Sequence, residues 1–193
     1  MNSNLQPWRM ESFNKAVIVN GDGITVEGVG GHRIAVCTHG LVRGVLYFEI
    51  EVLNDIGHIR VGVSNQRNDL NGPLGLGVGE YSYGSFRGYK FTGGVKHRYG
   101  PTFGIRDFIG VEIGLGSGRT EMRNYLVCQE AYIKEPSYIK FYKNGEDLGI
   151  AFSDLEYGVY YPAISLYQGA KVKFIWEPFV AFPPRYGVGC WLP

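Results

Sequence analysis

Between Tyr81 and Arg106 the sequence reads YSYGSFRGYKFTGGVKHRYGPTFGIR, without a single Asp or Glu. Arg87, Lys90, Lys96, Arg98, Arg106 and His97 are interleaved there with Tyr81, Tyr83, Phe86, Tyr89, Phe91, Tyr99 and Phe103. Guanidinium groups grip carboxylates through paired charge-assisted hydrogen bonds, and Arg and Tyr bury area while keeping their polar atoms satisfied. The chemistry on offer is recognition of an acidic partner, with room for aromatic residues. Two other readings fit the same residues. The aromatics could be core, with the cations a solvated rim around a long loop. Basic and aromatic residues together also line single-strand nucleic-acid grooves, a reading ranked lower because the cations are few and no nucleic-acid motif accompanies them.

Other residues with chemical potential lack the company they would need. His32, Cys37 and His39 are close in sequence but have neither a fourth ligand nor the spacing of a tetrahedral zinc site. GLGSGRT, Gly114 to Thr120, has no Lys before its Thr and no helix pattern after it, and GPLGLGVG lacks a βαβ context, so turn chemistry accounts for both. Glu49 and Glu51 lie on one strand face with nothing to divide acid and base roles between them. Neither Gly-x-Ser-x-Gly nor His-Glu-x-x-His occurs. The expectation is a protein that is not an enzyme and uses no metal or cofactor.

The elements that must position the basic stretch are strands. Apolar residues recur every second position in short runs bounded by Gly, Asn, Asp or Pro. The runs are AVIVN, ITVEG, RIAVC, VLYFEIEVL, HIRVGVS, DFIGVEIGL, YIKFYK, LGIAF, YYPAISL and KVKFIW. This pattern predicts an all-β, two-sheet antiparallel sandwich. At 193 residues one domain is expected, and 29 glycines imply many turns. Nineteen Lys and Arg against 18 Asp and Glu give a net charge of +1, so any attraction to a charged partner must be local. Cys37, Cys128 and Cys190 form no Cys-x-x-Cys pair, which fits a reducing, intracellular setting.

Two hairpins can be laid out in advance. Asn144-Gly145 favours a type I′ turn, pairing Lys143 with Glu146, Phe141 with Leu148 and Ile139 with Ile150. For YFEIEV and HIRVGVS, alternation puts Phe48, Ile50 and Val52 on one face and Ile59, Val61 and Val63 on another, both toward the core. A four-residue loop from Asn54 to Gly57 would pair Val52 with Ile59 and Ile50 with Val61. That leaves Arg60 outside, opposite Glu51, beside a hollow at Gly62.

VLYFEIEV, RVGVS, IKFYKNGEDLGIAF and GVYYPAISLY, followed by PFVAFPP, resemble the SPRY domain. With PLG and YSYG upstream the chain is similar, more narrowly, to the SPRY subunit of COMPASS/MLL-class histone methyltransferase complexes, the absent, small or homeotic discs or Bre type. The resemblance runs over residues 15–184, as a bent β-sandwich, with 1–14 and 185–193 as terminal extensions. It implies a non-catalytic nuclear subunit that takes an acidic segment of a WD-repeat partner into a basic pocket and stimulates a SET-domain methyltransferase. A Dpy-thirty-type dimer would bind beyond the domain. By motif the partner-binding residues are Arg60, Pro73, Arg87 and Lys90, with Leu76, Tyr83 and His32 beside them. A general SPRY adaptor, for instance in ubiquitin-ligase substrate recognition, is the alternative.

Overall fold

The computed structural model describes residues 8–12, 17–22, 25–65, 72–116, 136–176 and 178–183. AVIVN is described from Val17 on; Cys128, Cys190 and the tail from residue 185 lie outside the described residues. Two antiparallel seven-stranded sheets face each other. The first runs β1 (Met10–Glu11), β4 (Arg33–Cys37), β13 (Tyr161–Leu166), β6 (Ile59–Ser64), β7 (Glu80–Gly84), β8 (Tyr89–Thr92), β9 (Val95–Arg98). The second runs β12 (Glu146–Ser153), β11 (Tyr138–Lys143), β10 (Phe108–Leu115), β5 (Gly44–Asn54), β14 (Lys171–Trp176), β3 (Thr25–Gly28), β2 (Val17–Val19). No helix occurs among the described residues.

The core lies between the sheets. Ile59, Val61 and Val63 of β6 face inward from one, and Phe48 and Ile50 of β5, Phe141 of β11 and Phe174 of β14 from the other, all fully buried. Each such side chain contributes about 1.5–3 kcal/mol by leaving water. The predicted inward faces of β5 and β6 are therefore correct, but the hairpin between them is not. β5 pairs with β10 and β14, while β6 pairs with β13 and β7. Arg60 consequently stands opposite Gly84 and Ser165, and Glu51 opposite Phe108 and Lys173. Alternation decides which face of a strand is apolar; two apolar faces satisfy it equally well across a sandwich and side by side.

In the β11–β12 hairpin Asn144 (φ 50°) and Gly145 (φ 82°) form the expected left-handed turn, and Lys143 pairs with Glu146. Irregularities then shift the register, so that Ile139 faces Phe152 and Ile150 faces Lys140 and is exposed. Gly149, at φ 81°, supplies a left-handed residue of the kind that bulges need. The Lys143 ammonium lies 3.1 Å from Asp107, not on Glu146, and Lys140 lies 3.1 Å from Asp147.

The acid-free stretch is a meander of three strands, β7 to β9, rather than a long loop. Its alternation was disguised because the outward positions of β7 are Ser82 and Gly84, while β8 reverses the pattern with Tyr89 and Phe91 outward.

Candidate partner-binding site

Because Ile59 and Val61 point inward, Arg60 emerges on the outer face of the first sheet. Its cross-strand neighbour Gly84 has no side chain, and a Cβ there would stand 2.9 Å from the ring of Phe91. Phe91 leans into that gap, so the guanidinium carbon sits 3.7 Å from its ring centroid, a cation–π stack. Nη1 donates to the Leu74 carbonyl at 3.2 Å, leaving the other donors of the fork for an incoming acceptor. Burial lowers the Arg60 pKa, against the pull of Glu80, and a guanidinium stays charged at neutral pH.

One wall is the segment 72–79. Leu74 is fully buried among Ile34, Val36 and Ala163 on the outer face. Its amide donates to Ser165 Oγ at 2.9 Å, and Ser82 Oγ donates to its carbonyl at 2.7 Å. The Glu80 carboxylate accepts the amides of Gly75, Leu76 and Gly77 at 2.9–3.0 Å, which fixes the wall and occupies the nearest negative charge. Gly62 allows close backbone approach, since a Cβ there would lie 2.0 Å from the Tyr81 carbonyl oxygen. The hollow expected beside it lies over Gly84 instead.

That hollow is a basin of about 210 Å³ whose lining holds cations, imidazoles and aromatic rings but no carboxylate. Arg60, Arg87 and Lys96 supply the charge; Phe86, Tyr89 and Phe91 supply the rings. At the far end the rings of His32 and His58 lie 6.3 Å apart and within 9° of parallel, with Tyr167 against both. Burial above all, then Arg60 and His58, lowers the His32 pKa to about 4, and its buried Nδ1 has no hydrogen-bond partner. An unfolded histidine titrates near 6.5, so between these values the unfolded chain holds the extra proton. Folding stability is thus full above pH 6.5 and falls as the pH drops toward 4. Urea midpoints across that range should show a slope that His32→Phe flattens; an equal slope would place the titration elsewhere.

Arg87 occupies the Ser85–Gly88 turn at φ 60°, a left-handed conformation that costs a non-glycine residue about 1 kcal/mol. Its guanidinium is exposed, 5.0 Å from the Phe86 ring. Arg87→Gly is expected to keep the melting temperature unchanged or raise it slightly while weakening an acidic ligand by about 1 kcal/mol. Parallel melting and binding curves check this; a loss of stability would mean that the side chain braces the turn.

The other predicted residues are distributed unevenly. Arg60, Arg87 and His32 line the basin. Pro73 is half-buried in the wall, and Leu76, 55% exposed, sits on its crest near Gly94. Lys90 points away from the basin: its ammonium donates to the Ala151 carbonyl, near the Tyr99 and Phe152 rings. Tyr83 is fully buried between the sheets. Of the remaining cations, His97 pairs with Lys90 across β8–β9, and Arg106 lies in the turn before β10. Phe86, Tyr89, Phe91 and Lys96, named within the acid-free stretch but not among the motif-derived pocket residues, also line the basin, and His58 joins it without having been singled out. Reading β8 and β9 as strands would have aligned Phe91 with Lys96 and Tyr89 with Arg98.

Among the described residues no group of three His, Cys, Asp or Glu side chains is placed to hold a metal. His39 Nδ1 shares a 2.7 Å hydrogen bond with Thr38 Oγ1, and burial pushes the Cys37 thiol up to about 11. Glu49, buried, accepts the Tyr47 hydroxyl and the amides of Ala181 and Phe182, fastening segment 178–183 to the second sheet. That is a structural use for a carboxylate; Glu51, two residues on and on the same strand face, stands instead between Phe108 and Lys173 of the neighbouring strands.

The profile of the SPRY domain matches residues 45–124 and 133–178. The chain belongs to the SPRY-domain family. The SPRY domain of human HERC1 superposes with a TM-score of 0.65 at 20% identity, over 89% of this chain and 97% of that one, so the fold is shared. The Set1/Ash2 histone methyltransferase complex subunit ASH2 of Drosophila melanogaster is 28% identical over 86% of this chain and 34% of its own length. The subunit ash-2 of Caenorhabditis elegans is 27% identical over 89% and 36%. Ran-binding protein 9 of Xenopus laevis is 32% identical over 71% of this chain and 22% of its own. The chain thus spans about a third of the length of the ASH2 relatives. In this SPRY domain the basin lies on the outer face of the sheet that ends in β9.

Proposed function

We propose that this SPRY domain is a non-catalytic docking module that binds an acidic segment of a WD-repeat partner and so helps to assemble and stimulate a histone lysine methyltransferase complex in the nucleus. The observation that carries the reading is a pre-oriented guanidinium, Arg60, at the edge of a basin lined by Arg87 and Lys96 and by no carboxylate. Relatives described as subunits of Set1/Ash2 complexes supply the setting. Such a site stabilises a carboxylate by charge-assisted hydrogen bonds and offers the faces of Phe86 and Tyr89 to an apolar neighbour on the ligand. Pro73, Leu76 and the β8–β9 turn form the rim over which the rest of the segment would run. A SET-domain methyltransferase and a Dpy-thirty-type dimer are the further partners in this reading.

The test is titration of an acidic peptide from a WD-repeat subunit against the same peptide with Asp and Glu changed to Asn and Gln. Binding of the first alone is expected. Equal binding of both would favour a general adaptor that recognises neutral loops. A nucleic-acid role predicts instead a log–log salt slope of about −4.5 on duplex DNA for five phosphate contacts; a shallow response excludes it. Co-purification of WD-repeat and SET proteins from the native cell tests the assembly itself.

A further inference from the structure

Strand β9 ends its sheet, and all four of its residues, Val95 to Arg98, are exposed. In the β8–β9 hairpin the two-residue turn Gly93-Gly94 makes Thr92 and Val95 the first hydrogen-bonded pair, so Lys90 and His97 are the next. The backbone N–H and C=O groups of Lys96 and Arg98 therefore point away from the sheet, and among the described residues none of them meets a backbone partner. An edge of the second sheet, β12, is treated differently. There Tyr99 Oη donates to the Gly149 carbonyl at 2.6 Å and Lys90 Nζ to the Ala151 carbonyl, so two edge acceptors are capped. Sheet edges left open are templates for another strand.

The side chains of Lys96 and Arg98 share the basin's face. Tracing the registers across the sheet, Arg60, Gly84, Tyr89 and Arg98 form one cross-strand row, and Ser82, Phe91 and Lys96 the next. With strands about 4.8 Å apart, Arg60 and Arg98 stand roughly 14 Å from each other on that face. The open edge and the basin are thus one continuous basic surface, and its charge selects an anionic occupant.

We propose that the acidic ligand docks as an added β-strand along β9, with carboxylates at alternate positions, i and i+2, facing Lys96 and Arg98. This rests on the acidic-segment reading above and adds to it a binding mode and a spacing rule. Main-chain hydrogen bonds to Lys96 and Arg98 give affinity, and the period of two gives specificity, because neighbouring side chains of a strand fall on opposite faces. Antiparallel docking, the commoner pairing, makes the ligand residues opposite Lys96 and Arg98 donate their own amides to β9.

The probe is the peptide Glu-Ser-Glu-Ser-Glu-Ser-Glu, bound to the full chain and compared with two versions N-methylated at the Glu amides or at the Ser amides. At least a tenfold loss is expected for one set only, the Glu set for antiparallel docking. Amide exchange at Lys96 and Arg98 should slow at least tenfold in the complex, while that of Val95 and His97 changes little. Binding that is insensitive to both methylations, or equally sensitive to each, or that leaves exchange at Lys96 and Arg98 unchanged, overturns strand addition and leaves the acidic-ligand reading standing. Failure of the unmethylated peptide to bind overturns both.

Discussion

Replacing Arg60 with alanine is expected to weaken an acidic peptide at least ~30-fold, about 2 kcal/mol, with a smaller effect on folding. The guanidinium is held before the ligand arrives, by its stack on Phe91 at 3.7 Å and its bond to the Leu74 carbonyl. Little side-chain freedom is therefore lost on binding, and the interaction keeps most of its strength. The folded state loses one cation–π contact, about 0.5–1 kcal/mol, and one hydrogen bond of similar size. Lysine should not rescue the site, because a point charge cannot present a planar fork while lying flat on a ring. Fluorescence anisotropy for affinity and urea midpoints for stability separate the two effects. Unchanged affinity would mean that Arg60 serves only to hold the 72–79 wall.

Tyr83→Ala should destabilise the domain by about 3–5 kcal/mol, the range for emptying a large aromatic site in a packed core. Its ring lies 5.1 Å from Phe103, 5.4 Å from Phe141 and 5.5 Å from Tyr99, and its hydroxyl donates to the Pro101 carbonyl. Burial, with Tyr99 and Asp107 nearby, pushes its phenol well above the usual range, so it is neutral at any pH the protein would meet. Tyr83→Phe removes only the hydrogen bond and should cost about 1 kcal/mol without changing affinity for an acidic peptide. Urea unfolding of both variants, with peptide binding by the second, is the measurement. A tenfold affinity loss in Tyr83→Phe would return this residue to the site.

The opposite fates of Arg60 and Tyr83 show where sequence reading has its limit. Both belong to stretches that resemble the same binding site, yet β6 turns Arg60 outward and β7 turns Tyr83 inward. The inward run Ile59, Val61, Val63 makes the first outcome legible. In β7 the outward partners of Tyr81 and Tyr83 are Ser82 and Gly84, too small to mark a polar face, so the parity of Tyr83 was not. Lys90 follows from the same shift, since Phe91 and Tyr89 claim the basin side of β8 and leave the ammonium to cap β12.

From the chain alone come the antiparallel sandwich, the inward faces of β5 and β6, the Asn144-Gly145 turn and the acid-free run, because a period of two, turn chemistry and local charge are properties of neighbouring residues. Tertiary structure decided the rest: which sheet each strand joins, the bulge that exposes Ile150, and the basin over Gly84 that gathers Arg60, Phe91, Lys96, Arg87 and the two histidines. Those depend on strand neighbours far apart in sequence, and a pairing between distant strands leaves no mark on the alternation of either one.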